Sequence, residues 1–170
     1  MEQSIMSKVI FQVHAMQNER DAERVSQFFL SKDAFDDQNH TPGELVHFSK
    51  WPRESLQIPN HRHWYVENEN EQIIAVISTR ENEHRTGGYL WDYLVVHREY
   101  RNLGIAKQLY ETMLEFIEQQ SGRYILTYTC DLPQYASVQN MFAKLGFQLI
   151  GNYPNYYYEG EARLAYWKKL

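Results

Sequence analysis

The stretch that most constrains this fold is Tyr93 to Leu109: Tyr-Leu-Val-Val-His-Arg-Glu-Tyr-Arg-Asn-Leu-Gly-Ile-Ala-Lys-Gln-Leu. An apolar run ends at Val96, a seven-residue turn follows, and a helix opens at Gly104. A helix that starts this way leaves its first N–H groups without intrahelical partners, and its dipole adds positive potential there. Gly104 lets a ligand approach the backbone closely. The segment is therefore predicted to hold a phosphate or pyrophosphate, with Arg101 and Lys107 flanking it as charges. The triple-glycine spacing of a dinucleotide loop is missing, and so is the Gly-Lys-Ser/Thr of a nucleotide-hydrolase loop.

The rest of the chain alternates strands and helices. Val9–Val13 is expected to open as a strand. Asn18 caps a helix with Asp21 at its third position, and Ala22, Val25, Phe28 and Phe29 form its apolar face. A short helix is expected over Gly43–Lys50, then a loop holding Trp51, Pro52 and Pro59. Strands follow over His63–Glu67, Gln72–Arg80 and Gly88–Val96, separated by polar turns. The helix from Gly104 to Gln120 carries Ala106, Leu109, Tyr110, Met113, Phe116 and Ile117 on one side, with Glu111, Glu115 and Glu118 facing away. Tyr124–Thr129 is a strand. Asp131 is expected to cap a helix with Pro133 in its first turn and Gly146 as its left-handed terminator. Phe147–Gly151 and Ala162–Lys169 close the chain as strands. The whole is a single mixed α/β domain over residues 1–170, with no internal repeat or linker.

Composition narrows the function. With 43% apolar and 23% charged residues the chain is globular, and no apolar run reaches the ~20 residues of a membrane span. A net charge of −5 argues against nucleic acid, which needs basic patches, and is compatible with a cationic amine as partner. Cys130 is the only cysteine, so no intrachain disulfide is expected. No secretory leader pattern is seen at the N-terminus, and the expected location is cytoplasmic.

Arg101-x-x-Gly104-x-Ala106 resembles the acetyl-CoA signature of the GNAT N-acetyltransferases. Gln139 to Phe147 resembles that family's later helix, and Asn155–Gly160 with Tyr166–Leu170 its closing hairpin. The resemblance implies a mostly antiparallel mixed sheet of about seven strands with about four helices, splayed between strands four and five. It implies acetyl-CoA as co-substrate, no metal, and no nucleic-acid or membrane partner. By the same resemblance, the backbones of Leu94, Val95 and Val96 hold the pantetheine arm. Arg101, Asn102, Leu103, Gly104, Ile105, Ala106 and Lys107 form the pyrophosphate cradle. The family often protonates the leaving thiolate from a Tyr where this chain has Phe142, so that donor is missing here.

Asp92 is the candidate base. It lies in an otherwise apolar strand, two and four residues before Leu94 and Val96, and strand periodicity puts the three on one face. A carboxylate bonded to a neighbouring strand is the plainer alternative. Tyr135, Tyr156 and Tyr157 compete as acid or acceptor-binding groups, against simple packing. His61 and His63 share a strand face, but two histidines without a third ligand make a weak metal site. Either could lie near the acceptor beside Trp64. Trp51, Phe48 and Ile58 either line the acceptor pocket or cover the core. The expected reaction is acetyl transfer to a primary amine by direct attack in a ternary complex, with a small-molecule acceptor. A protein N-terminal or lysine acceptor, or a non-catalytic acetyl-CoA-sensing module, are the alternatives. A homodimer is compatible with the family.

Overall fold

A computed structural model describes residues 11–37 and 39–170. Their order is β1 (Val13–Ala15), α1 (Glu19–Phe29), α2 (Pro42–Ser55), β2 (His61–Glu67), β3 (Ile73–Glu81), β4 (Gly88–Val96), α3 (Ile105–Gln119), β5 (Tyr124–Cys130), α4 (Ala136–Lys144), β6 (Gln148–Tyr158) and β7 (Glu161–Lys169). One seven-stranded sheet runs β1-β2-β3-β4-β5-β7-β6. The β4–β5 pair is parallel and the others are antiparallel. Val9 and Ile10 of the expected first strand lie outside the described residues; Phe11 and Gln12 are not strand, and β1 runs Val13–Ala15, sharing only Val13 with the expectation.

Two clusters sandwich the sheet. Ile105, Leu109, Met113 and Ile117 of α3 pack on Tyr89, Trp91 and Ile125 from one side. Val25, Phe28 and Phe29 of α1 and Phe48 of α2 pack on Tyr65, Val76 and Val95 from the other. Each such large side chain, fully buried, contributes about 1.5–3 kcal/mol. Local signals set the helix ends. The Asn18 side chain accepts from the Asp21 N–H at 2.9 Å. Gly146, at φ +88°, terminates α4, with the Phe147 N–H donating to the Phe142 carbonyl.

The structure corrects three expectations. Trp51 and Pro52 are helical: α2 starts at a Thr41/Glu44 capping box with Pro42 in its first turn and runs on to Ser55. It survives Pro52 because that ring is buried and Trp51 stacks on His47, one turn back, at 3.7 Å. Asp131 caps no helix. Its carboxylate accepts the Ala162 N–H of β7 at 2.9 Å, and a short 3-10 turn over Pro133–Tyr135 leads into α4 instead. The strand expected over Phe147–Gly151 continues through the tyrosines to Tyr158. As a sheet edge it tolerates Pro154.

Candidate active site

The β4–β5 ladder is short. Pairing covers Gly88↔Tyr124 to Trp91↔Thr127, and Asp92 to Val96 have no β5 partner. The two strands part where β4 still has five residues to run. On its other side β4 keeps its pairing with β3 up to Val96. The His97 N–H donates to the Ile74 carbonyl at 2.7 Å, and antiparallel ladders alternate. Tyr93 and Val95 therefore bond towards β3, while the N–H and C=O groups of Leu94 and Val96 turn to the gap. Of the three residues expected to hold a pantetheine arm by their backbones, Leu94 and Val96 turn their groups to the gap. Val95 does not, because β3 occupies its groups.

Beyond Val96 the chain turns into α3. Asn102 (φ +63°) and Gly104 (φ +84°) are both left-handed, and Gly104 caps the helix without a side chain. A Cβ built at Gly104 meets nothing within 4 Å, so the space in front of the helix start is open. Among the described residues the N–H groups of Gly104, Ile105, Ala106 and Lys107 have no partner, and the first helical bond runs from the Gln108 N–H to the Gly104 carbonyl. Such alternating backbone makes an anion-binding concavity. The flanking charges are otherwise engaged. Arg101 grips Asp36 with two bonds of 2.8 Å and donates from Nε to the Val96 carbonyl at 3.1 Å. Lys107 lies 3.8 Å from Glu111. Leu103 is 52% exposed. The start of α3 thus presents main-chain donors, with Arg101 pinning the loop to the end of β4.

Asp92 lies at the point of divergence. The β3–β4 register shifts there: Ser78 faces Tyr93 and Thr79 faces Trp91, leaving Asp92 as the extra residue of a β-bulge. The bulge breaks the face pattern. Tyr89 and Trp91 join the α3-side cluster, and so do Leu94 and Val96, while Tyr93 and Val95 pack towards α1 and α2. The expectation that Asp92 shares a face with Leu94 and Val96 is therefore wrong. Its carboxylate accepts from Arg80 Nε at 3.1 and 3.3 Å, and the Arg80 guanidinium lies 4.9 Å over the Trp51 ring of α2. Burial pushes its carboxyl up to about 6, against the opposing pull of Arg80 and Arg163.

Other elements converge on the same face. His47 of α2 shares a 3.2 Å hydrogen bond with the Tyr93 hydroxyl. Arg163 of β7 stacks on Tyr128 of β5 at 3.3 Å. Burial pushes the Tyr157 phenol up to about 12 and raises that of Tyr135, and both feel Cys130 and Glu44. Tyr135 follows the end of β5 by five residues, and the Tyr157 ring meets Tyr156 edge-on at 5.2 Å. Tyr156 is exposed and accepts from Arg163 at 2.6 Å. Phe142 is core, packed among Trp91, Phe147 and Tyr166. Cys130 is buried, and burial pushes its thiol up, away from a reactive thiolate.

His61 and His63 stack at 5.3 Å beneath Trp51. The Ser55 hydroxyl donates to the Pro52 carbonyl, so it accepts from His63 Nδ1. Burial lowers His61 to about 4 and His63 to about 3, so both are neutral. Among the described residues no three His, Cys, Asp or Glu side chains cluster as a metal site, and no helix is long and apolar enough to cross a membrane. No local sequence pattern marks Arg80, Arg163, Tyr93, Tyr128, His47 or Glu44, which only the fold brings to this face.

The model of the acetyltransferase (GNAT) family matches residues 24–147, well over half of the chain. This protein belongs to that family of acetyltransferases. Solved structures share its fold at low identity. A GNAT-family chain from Desulfovibrio desulfuricans superposes with a TM-score of 0.80 at 15% identity, covering 94% of this chain and 99% of that one. An aminoglycoside 6'-N-acetyltransferase in complex with coenzyme A gives 0.71 at 16% identity, covering 95% and 97%. The ribosomal-protein-S18-alanine N-acetyltransferase of Escherichia coli gives 0.71 at 13%, covering 94% of each. A search of curated proteins gave no match.

Proposed function

We propose that this chain transfers the acetyl group of acetyl-CoA to a primary amine by direct attack in a ternary complex, and that the amine is a small molecule. The observation that carries this reading is the unpaired edge of β4. It runs from Asp92 past Leu94 and Val96 into the open N–H groups of Gly104 to Lys107. A pantetheine arm can pair with that edge while the pyrophosphate occupies the helix start. A similarly folded acetyltransferase was solved with coenzyme A, which supports the choice of cofactor.

Acetyl-CoA supplies the acyl carbon. The amine nitrogen forms the new C–N bond, the C–S bond breaks, the nitrogen loses one proton and the sulfur gains one. Asp92, near 6, is a poor acceptor for a free ammonium near 10, a transfer uphill by about 6 kcal/mol. It suits the far more acidic nitrogen that exists once the C–N bond is forming. Tyr157, near 12, holds its proton more tightly than a thiol near 8.5. Tyr157, or Tyr135, therefore serves by donating a hydrogen bond to the departing sulfur. Arg80 holds Asp92 and lies over the Trp51 ring, and Tyr93 follows Asp92 on β4, so the room beside the carboxylate suits a compact amine. The buried Phe142 ring, without a hydroxyl, favours one second reading: a module that binds acetyl-CoA and does not turn it over.

The test is thiol release from acetyl-CoA across amines, polyamines, aminoglycosides, amino acids and N-terminal peptides, with acetyl-CoA binding measured in parallel. Binding with turnover of a small amine is expected. Turnover confined to peptides contradicts the small-molecule acceptor, and binding without turnover supports the sensing module.

A further inference from the structure

Arg163 has no role in the chemistry just described, and its surroundings are unusual for an arginine. It stands on β7 opposite Cys130 of β5 and Tyr153 of β6, at the wide end of the gap. Its guanidinium lies 3.3 Å from the Tyr128 ring centre and 4.7 Å from that of Tyr156. Nη1 donates to the Tyr156 hydroxyl at 2.6 Å. Nε is buried and has no hydrogen-bond partner among the described residues. Among the described residues Arg163 forms no ion pair, not even with Glu161 two residues before it on β7. Asp92 is held by Arg80 at 3.1 Å, and Glu44 receives the Thr41 N–H in the cap of α2.

A guanidinium whose faces rest on aromatic rings keeps its in-plane N–H groups for hydrogen bonding. With Nη1 used by Tyr156, the Nε and Nη2 edge remains, and that edge matches the two oxygens of an acid group. The positive charge also reaches the reacting end of the site, since it opposes the burial-driven rise of Asp92, Tyr93 and Tyr157. Tyr156, 52% exposed on the edge strand, is the ring an entering ligand would displace. We propose that the acceptor is an amine that also carries a compact acid group, a carboxylate or phosphonate, which the Arg163 fork binds while the amine lies beside Asp92. This proposal rests on the acetyl-transfer reading above.

The experiment compares matched acceptors: amino acids, their amides, the decarboxylated amines, and aminoalkylphosphonates. Thiol release gives kcat/KM, and calorimetry gives binding to the enzyme saturated with CoA. The wild-type protein is expected to favour the acid over its amide by at least a hundredfold in kcat/KM, mainly through KM. The amino acid and phosphonate arms show which acid the fork takes. Arg163→Gln is expected to reduce that ratio at least tenfold, and Arg163→Lys, which keeps the charge and loses the fork, to fall between. Equal use of acids and amides by the wild-type protein overturns the proposal while acetyl transfer stands, and it does so without any variant. Acid binding that depends on Arg163 with no thiol release keeps the proposal for the site and overturns the reaction.

Discussion

The two halves of the site are built in opposite ways. The proposed cofactor side is main chain: the edge of Leu94 and Val96 that β5 leaves unpaired, where Arg101 holds the Val96 carbonyl, then the N–H groups of Gly104 to Lys107, all within one local stretch. The proposed acceptor side is side chains: Asp92 and Tyr93 from β4, Arg80 from β3, Trp51 and His47 from α2, Tyr128 from β5, Tyr157 from β6 and Arg163 from β7. A backbone cradle tolerates many side chains and responds to conformation. A side-chain pocket responds to each substitution singly. The first can stay fixed while the second changes.

The largest expected effect is on the side-chain half. Asp92→Asn is predicted to lower kcat/KM by 10²–10⁴ and to remove a rise in rate with pH centred near 6. Rates within threefold of wild type across that range would make Asp92 a structural partner of Arg80. On the backbone half, Gly104→Val puts a branched Cβ at φ +84° in open space. It is predicted to weaken acetyl-CoA binding ten- to a hundredfold in calorimetry, with only about 1–2 kcal/mol lost in unfolding. A large stability loss with unchanged affinity would assign Gly104 to folding.

The buried histidines test the acceptor wall from beneath. Their folded values, about 4 and about 3, lie below the unfolded value near 6.5, so the unfolded chain binds more protons between these limits. Stability present above pH 6.5 is therefore lost as pH falls, by about 2 kcal/mol per histidine between pH 7 and pH 5. Asp92 acts in the opposite sense between about pH 4 and pH 6, because its folded value is raised. Urea unfolding of His63→Gln should show a shallower acid slope than wild type. An unchanged slope would mean that His63 does not resist protonation. The smallest effect is expected at the loop clamp. Asp36→Ala releases an exposed ion pair worth under about 1 kcal/mol and should raise the acetyl-CoA Kd no more than about fivefold.

The same contrast explains what could be read from residue order. The strand, Gly104 and helix of the cradle are consecutive, so periodicity and one glycine locate them. Asp92 was legible as an acid in an apolar strand, but not its face, because the bulge arises from how β4 pairs with β3. Arg80 and Arg163 are single charges on half-buried strands, and no local pattern separates them from solvated ones. The start of α2 was written in Thr41-Pro42-Gly43-Glu44, and its end was misjudged because proline usually stops a helix.

Acetyl-CoA titrated against backbone amide NMR shifts tests the central claim most directly. The account predicts saturable changes concentrated at Leu94, Val96 and Gly104 to Lys107, with Val95 changing less because its N–H is held by β3. No binding, or changes that spare Gly104 to Lys107, would contradict it.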